Sequence, residues 1–237
     1  MRLFSPALFL HYLVSAQFAA AALTTLWLSL TALLLGMTIG MLLALGRAAR
    51  FRAIRQFVTF YLWMFRGTPV LLQLVFAFNV LPSFGILLSG FTCAVLALGL
   101  NEGAYMAEIM RAGLLGVSRG QRLAARALGM DEFRIMLWVV MPQALRIIIP
   151  PIGNQFISML KVTAIVSVIG VQDLLMVAEQ DASGSFRYLE TLFAAGVYYL
   201  VLTTIFMQVQ MRIERRLSRR RRVVATAAAA PALQAAQ

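Results

Sequence analysis

Charged side chains are scarce in this sequence. Only 13% of its 237 residues are charged and 61% are hydrophobic, whereas a soluble globular domain has about a quarter of its residues charged. This balance excludes an ordinary soluble domain and indicates an integral membrane protein. Since a membrane-crossing helix needs about 20 apolar residues, the length allows roughly four to six spans.

Residue types that carry chemistry are nearly missing as well. The chain has one cysteine, Cys93, one histidine, His11, and one lysine, Lys161. One cysteine cannot form a disulfide within the chain, and one histidine with one distant cysteine makes no metal-ligand cluster. The pattern G-x-x-x-x-G-K-[ST] does not occur, so the chain has no P-loop for ATP. We therefore expect no catalytic residue, no metal site and no cofactor bound by this chain.

The charge that is present is mostly positive, with a formal net charge of +12. Excess arginine in a membrane protein marks the loops on the cytoplasmic side, and this explanation is stronger here than nucleic-acid binding. The apolar stretches predict an all-α protein with five transmembrane helices, at about residues 18–45, 56–80, 86–110, 142–170 and 191–211. Arginines collect after spans one, three and five, so the positive-inside rule predicts that these segments are cytoplasmic and that the N-terminus is outside.

Glycine and proline predict special features within the spans. Gly36 and Gly40 form a small-xxx-small pair, which suits close contact between helices. Pro69 lacks a backbone donor and predicts a bend in span two. For the same reason, the pair Pro150 and Pro151 predicts that span four is not one uninterrupted helix.

The long polar stretch between spans three and four is patterned for two short helices. Ser118, followed three residues later by Gln121, is a capping-box pattern and predicts a helix start. Gly129 predicts a left-handed stop, Asp131 can cap a second short helix, EFRIMLWVV, and Pro142 marks the entry to span four. Most loops have about 4–6 residues and longer ones usually carry function, so we interpret this loop as more than a solvated connection.

The first helix of this loop combines small and apolar side chains. We expect it to expose Ala124 and Ala125 beside Leu123 and Leu128. Small residues permit the close approach of another surface, and leucines at helical spacing supply an apolar anchor. The sequence therefore predicts that another protein docks on this loop.

Several segments together resemble a known family. AYMAEIMRAGLLGVSRGQRLAARALGMDEFRIMLWVVMPQALR, FRGTPVLLQL and TTLWLSLTALLLG resemble the permease subunits of bacterial ABC importers for polar amino acids, of the histidine, glutamine and arginine type. In that family a loop of the form E-A-A-x3-G-x9-I-x-L-P follows the third span. Ala124, Ala125, Gly129 and Pro142 match this form, whereas Leu123 stands where the family usually has Glu. The resemblance covers about residues 18–212.

The resemblance implies a type I ABC importer permease fold, in which the loop over residues 118–142 is a coupling segment that docks on a separate ATPase. The coupling residues that it implies are Ser118, Gly120, Gln121, Leu123, Ala124, Ala125, Leu128, Gly129 and Pro142. It further implies a dimer of ATPase subunits that bind the ATP, a second permease subunit, identical or related, a periplasmic solute-binding protein and membrane lipid as partners. The chain itself is then not an enzyme, and it lies in the bacterial inner membrane.

Three regions follow from this interpretation. Residues 1–17 are a periplasmic or interfacial N-terminus, residues 18–212 form the transmembrane permease domain with the coupling loop at 113–142, and residues 213–237 form a cytoplasmic tail. The tail is first basic and then rich in alanine. It has too few bulky apolar side chains to build a core, so we expect it to be disordered.

Polar residues inside the spans mark the expected substrate pathway. They are Asn101, Glu102, Tyr105 and Glu108 in span three and Asn154, Gln155, Lys161 and Thr163 in span four. Asn101, Tyr105 and Glu108 share one helix face by their i, i+4, i+7 spacing. Glu102 or Glu108 would accept from the ammonium group of an amino acid, and Lys161 or Gln155 would donate to its carboxylate.

These residues also have structural alternatives. Glu108 can pair with Arg111 at i, i+3, Lys161 can pair with a carboxylate of span three, and Arg66 can simply reach the cytoplasmic interface. A rival function is a stand-alone secondary transporter with Glu102, Glu108 and Lys161 as an ion relay, but five spans without an internal repeat fit inverted-repeat architectures poorly. An enzyme with both glutamates as an acid–base pair is disfavoured, because six residues separate them by about 240° of helical turn.

Overall fold

A computed structural model describes residues 4–234 of the protein and the side chains of residues 4–217. Within this range all regular secondary structure is helical, as the sequence predicts. The α-helices are α1 (Pro6–Leu13), α2 (Ala16–Arg47), α3 (Arg52–Gly67), α4 (Val70–Asn79), α5 (Gly90–Leu115), α6 (Arg119–Ala127), α7 (Glu132–Arg134), α8 (Met141–Val162), α9 (Leu174–Ser185) and α10 (Tyr188–Gln234). Short 3-10 segments lie at Leu81–Phe84 and Thr163–Ile169, and a π-helical segment lies at Ile135–Val140.

Four parts of the chain have the length and hydropathy of a membrane span. α2, the continuous stretch Glu132–Ile169 and the part of α10 at Tyr188–Leu217 each qualify alone, and α3 and α4 qualify together as a bent pair. The remaining predicted span corresponds to α5, whose 26 residues extend about 39 Å. α5 carries several polar residues, and the count of five spans stays a prediction.

α2 and α5 form the most extensive helix contact of the fold. A Cβ atom added to Gly36 would lie 2.8 Å from the Cβ of Glu102, and one added to Gly40 would lie 2.4 Å from the Cβ of Met106 on the next turn of α5. Gly99 and Gly103 of α5 stand in the reciprocal position, where an added Cβ would lie 2.6 Å from side chains of α2. Both helices therefore use a small-xxx-small pair, and the close contact predicted from Gly36 and Gly40 is confirmed.

The bend predicted at Pro69 is sharper than a kink, because α3 and α4 meet at 99°. α3 ends at Gly67, and Pro69, which has no backbone donor, precedes the first residue of α4. The Gln73 side chain donates through Nε2 to the carbonyl of Phe65 at 3.1 Å and to the hydroxyl of Thr68 at 2.8 Å. These hydrogen bonds satisfy polar groups that the helix break leaves free.

Two expectations about span four are wrong. α8 continues through Pro150 and Pro151, and the second loop helix is not separate, because α7, the π-helical segment and α8 form one stretch, Glu132–Ile169. Pro142 is the second residue of α8 and follows the π-helical segment closely. The Gln210 side chain of α10 donates to the carbonyl oxygen of Pro150 at 3.2 Å and so joins α10 to α8 beside the proline pair.

The last helix extends beyond the predicted span. The backbone of α10 is helical from Tyr188 to Gln234, whereas the tail over residues 213–237 was expected to be disordered. Alanine and arginine, which dominate the tail, have high intrinsic helix propensity, which favours a helical backbone there. Residues 235–237 lie outside the described part of the chain.

Candidate functional site

The first helix of the loop between α5 and α8 begins and ends as its sequence predicts. The Ser118 Oγ accepts a hydrogen bond from the backbone N–H of Gly120 at 3.3 Å and caps α6. Gly129 has a φ of +77°, and the N–H of Met130 donates back to the carbonyl of Ala125 at 3.1 Å. This is the left-handed helix stop that favours glycine.

A second cap and an ion pair hold the helix that follows. The Asp131 Oδ1 accepts from the backbone N–H of Arg134 at 2.9 Å. The Arg126 guanidinium on α6 pairs with the Glu132 carboxylate on α7 and so connects the two sides of the turn. The hydrogen bond from Arg126 holds the pKa of Glu132 below its ordinary value. Because exposed ion pairs contribute little to stability, the two caps carry more of the local order.

The loop presents large apolar side chains to its surroundings. The exposed fraction is 61% for Leu123, 82% for Leu128 and 75% for Phe133. Ala125, which we expected on the same surface, is instead buried in a cluster with Ala144 of α8. Its small side chain lets α6 lie close to the π-helical segment Ile135–Val140. The other predicted coupling residues are all exposed, namely Ser118, Gly120, Gln121, Ala124, Gly129 and Pro142.

One face of α5 carries three of the predicted pathway residues and meets the broken end of α3. The Asn101 Nδ2 donates to the carbonyl of Phe65 at 2.8 Å. The Arg66 guanidinium lies over the ring of Tyr105, 5.7 Å from its centroid, and its Nη1 is 3.9 Å from a carboxylate oxygen of Glu108. The shared face predicted from the spacing of Asn101, Tyr105 and Glu108 is therefore present.

Glu108 lies at the centre of an arginine cluster. Arg111 Nη2 is 2.8 Å from Glu108 Oε2, so the i, i+3 pair is formed. Arg47, the last residue of α2, pairs with the other carboxylate oxygen. Both oxygens are thus already bound by the protein, which weakens the expectation that Glu108 receives an ammonium group. The sequence does not predict the ion pair between Arg47 and Glu108, because two residues 61 positions apart follow no helical spacing.

Glu102 lies on another face of α5 and is buried. Gln155 Nε2 of α8 donates to Glu102 Oε1 at 2.9 Å. Asn154 accepts a hydrogen bond from Gln210 Nε2 of α10, also at 2.9 Å. These side chains connect α5, α8 and α10, and they form a group separate from the arginine cluster.

Two predicted pathway residues join neither group. The Thr163 hydroxyl is buried and donates to the carbonyl of Leu160 at 3.0 Å within its own helix. Lys161 is exposed, and no carboxylate among the described side chains forms an ion pair with it. The eight predicted residues are therefore not brought together in one site.

A polar cavity of about 440 Å³ opens beside the arginine cluster. Arg47, Trp63, Arg66, Tyr105 and Glu108 are among the residues that line it. Its volume falls in the range of small-molecule sites, about 300–1,000 Å³. Within the described range, no group of histidine, cysteine, aspartate and glutamate residues is arranged to hold a metal ion.

Comparison with known proteins decides the family. Residues 36–219 match the model of the binding-protein-dependent transport system inner membrane component. The chain belongs to this family. It is 40% identical over 218 residues to the arginine transport system permease protein ArgU of Corynebacterium glutamicum, a match covering 86% of this chain and 69% of the relative. It is 38% identical to the arginine permease ArtQ of Bacillus subtilis and 36% identical to the glutamine permease GlnP of Escherichia coli, both covering 81% of this chain and 89% of the relative.

Solved structures agree with this membership. A crystal structure of an amino acid ABC transporter with histidines superimposes with a TM-score of 0.81 and 40% identity, covering 84% of this chain and 94% of that one. An inward-facing MetNI methionine ABC transporter gives a TM-score of 0.71 at 19% identity, which supports the fold alone. The family and fold implied by the sequence resemblance are confirmed. The rival reading as a stand-alone ion-coupled transporter has no support among these relatives.

Proposed function

We propose that this chain is the transmembrane permease subunit of an ATP-driven importer that carries an amino acid across the bacterial inner membrane. The arginine and glutamine permeases among its relatives support an amino acid as the substrate. The energy comes from a separate subunit that binds ATP, because this chain has no P-loop.

The observation that carries the mechanism is the exposed apolar surface of the loop, formed by Leu123, Leu128 and Phe133. A capped helix with exposed leucines suits docking into a groove of another protein. We assign the ATPase subunit as that partner. Leucine at position 123 gives this surface apolar area where the family usually has a carboxylate.

The remaining assembly follows the family. Two permease subunits, identical or related, enclose the pathway, and a periplasmic binding protein delivers the amino acid to it. The arginines at the ends of α2 and α5 and in α6 favour a cytoplasmic loop and C-terminus with the N-terminus outside, since positive residues concentrate in cytoplasmic segments. Lipid surrounds the apolar outer faces of the helices.

Co-purification tests the docking. The chain is expressed with its genomic neighbours, and the wild type is compared with Leu128→Asp. The control is Leu87→Asp, because Leu87 precedes α5 at its opposite end and has the same exposed fraction, 82%. We expect the wild type and the control to retain an ATPase subunit and Leu128→Asp to lose it.

The opposite results are equally informative. If Leu128→Asp retains as much ATPase as the control, the loop surface is not the docking site. If the wild type retains no ATPase and the purified chain alone moves solute across a vesicle membrane, the importer proposal is wrong.

A further inference from the structure

Arg66 is a charged residue to which the predicted pathway gave no role, and it lies within the membrane domain. Arg52 begins α3 and Arg66 is 14 residues later, which places it about 21 Å along the helix. Its neighbour Phe65 accepts a hydrogen bond from Asn101, in the middle of α5. A cation in a membrane-spanning segment, beside a broken helix, marks a functional site by default.

The charges around Arg66 leave its donors available. Arg47 and Arg111 already bind the two oxygens of Glu108, and the closest approach of Arg66 to that carboxylate is 3.9 Å. Three guanidinium groups therefore share one carboxylate. Among the described side chains the Arg66 guanidinium makes no hydrogen bond shorter than this contact, and a guanidinium carries five N–H donors.

The position of the guanidinium is nevertheless fixed. It lies over the ring of Tyr105, a cation–π contact that restrains its orientation. It lines the polar cavity of about 440 Å³ and is partly exposed to it. A restrained guanidinium with free donors, in a cavity with an excess of positive charge, is suited to bind a carboxylate through paired hydrogen bonds.

We propose that Arg66 binds the α-carboxylate of the amino acid during its passage, with Tyr105 holding the guanidinium in place. The inference rests on the proposed function, since it assumes an amino acid as the substrate. It transfers the carboxylate-binding role from Lys161 and Gln155 to Arg66. Because every amino acid has an α-carboxylate, this contact recognises the common part of the substrate and leaves side-chain selection to other contacts.

A substrate carboxylate and the phosphate of a lipid headgroup offer this guanidinium the same kind of acceptor atoms. The shared chemistry is an oxyanion, and the experiment separates the two sources.

Uptake by a reconstituted complex tests the proposal. The chain, its ATPase and its binding protein are placed in proteoliposomes, and uptake of L-glutamine and L-arginine is measured. Arg66→Gln should lower the maximal rate roughly 10-fold or more, since hydrogen bonds to charged groups are the strong ones. The half-saturating concentration, set by the binding protein, should stay unchanged, and Arg66→Lys should give an intermediate rate.

Arg50→Gln is the matched control, because it removes the same charge from the turn between α2 and α3, outside the cavity. It should transport like the wild type. If Arg66→Gln transports like this control, the proposal fails while the proposed function stands. If Arg66→Gln transports normally but loses anionic phospholipid that co-purifies with the wild type, the cavity binds a headgroup and the proposal is also overturned.

A second measurement uses only the wild-type complex, so it does not depend on whether a variant folds. The wild-type complex without binding protein is tested for competition between labelled L-glutamine or L-arginine and their α-carboxamides. We expect the carboxylate forms to compete and the carboxamides to compete at least roughly 10-fold more weakly. Equal competition would overturn the carboxylate contact. A wild-type complex that hydrolyses ATP but imports no amino acid contradicts the proposed function instead.

Discussion

Replacing Gly36 by alanine tests the packing on which the transport domain depends. An added Cβ would lie 2.8 Å from both Cβ and Cγ of Glu102, a separation that no real contact shows, so α2 and α5 must move apart. Glu102 cannot simply rotate away without losing its hydrogen bond from Gln155. Overpacking of this kind costs about 1–3 kcal/mol. For a chain of this size the melting temperature should fall by roughly 2–12 °C.

The assay uses the one cysteine of the chain. Cys93 is buried in the core beside α2 and α4, so a maleimide dye reacts with it only when the helices separate. The dye signal on heating reports the melting temperature in detergent without further labelling. Wild type and Gly36→Ala differ at no other thiol, which makes the comparison direct.

Gly196→Ala in α10 is the control. Nothing lies within 4 Å of a Cβ added to Gly196, and alanine is more favourable than glycine in a helix by roughly 0.5–1 kcal/mol. Its melting temperature should be equal to or slightly above that of the wild type. The packing argument is refuted if Gly36→Ala melts with the wild type, or if Gly196→Ala loses as much stability as Gly36→Ala.

Three further predictions concern the loop. Ala125→Glu places a charge in a buried position and should lower the melting temperature and ATPase retention together, whereas Ala124→Glu, at an exposed position, should keep the melting temperature. Gly129→Ala imposes a positive φ on a residue with a Cβ, at a cost of about 1–2 kcal/mol, and should weaken ATPase retention while the membrane domain melts unchanged. The Arg126–Glu132 pair lowers the pKa of Glu132, so its ordering effect is complete above the ordinary glutamate pKa, about 4.3, and is lost as the pH falls through the lower folded value. A spin label on α6 should become slightly more mobile in that acidic window, and Glu132→Gln should reduce the pH dependence.

Local patterns predicted the features that depend on a few neighbouring residues. Ser118, Asp131 and Gly129 act at the ends of the loop helices as their types require, because caps and left-handed stops are satisfied within one turn of the chain. The bend at Pro69 follows for the same reason. The face shared by Asn101 and Tyr105 follows from the helix period alone.

Features that depend on contact between distant segments were not predictable. The ion pair between Glu108 and Arg47 joins α5 to the end of α2. The two residues are far apart in the chain, so no helical spacing predicts the pair. Pro150 and Pro151 lie inside a continuous helix, α8, although proline locally disfavours a helix interior. Ala125 is buried because the π-helical segment Ile135–Val140 lies against α6, which the pattern of α6 alone does not show.

The stretch Glu132–Ile169 begins in the loop and continues into the membrane domain as one body of 38 residues, roughly 55 Å in length. A force applied near Phe133 therefore needs no relay through a chain of side-chain contacts to reach Ile169. A rotation of about 10° at one end moves the other by roughly 10 Å, since the displacement scales with the length of the rod. The π-helical segment at Ile135–Val140 interrupts the α-helical hydrogen-bond pattern of this stretch near its loop end. We expect substitutions in those six residues to change how much of a rotation at the loop reaches the membrane end.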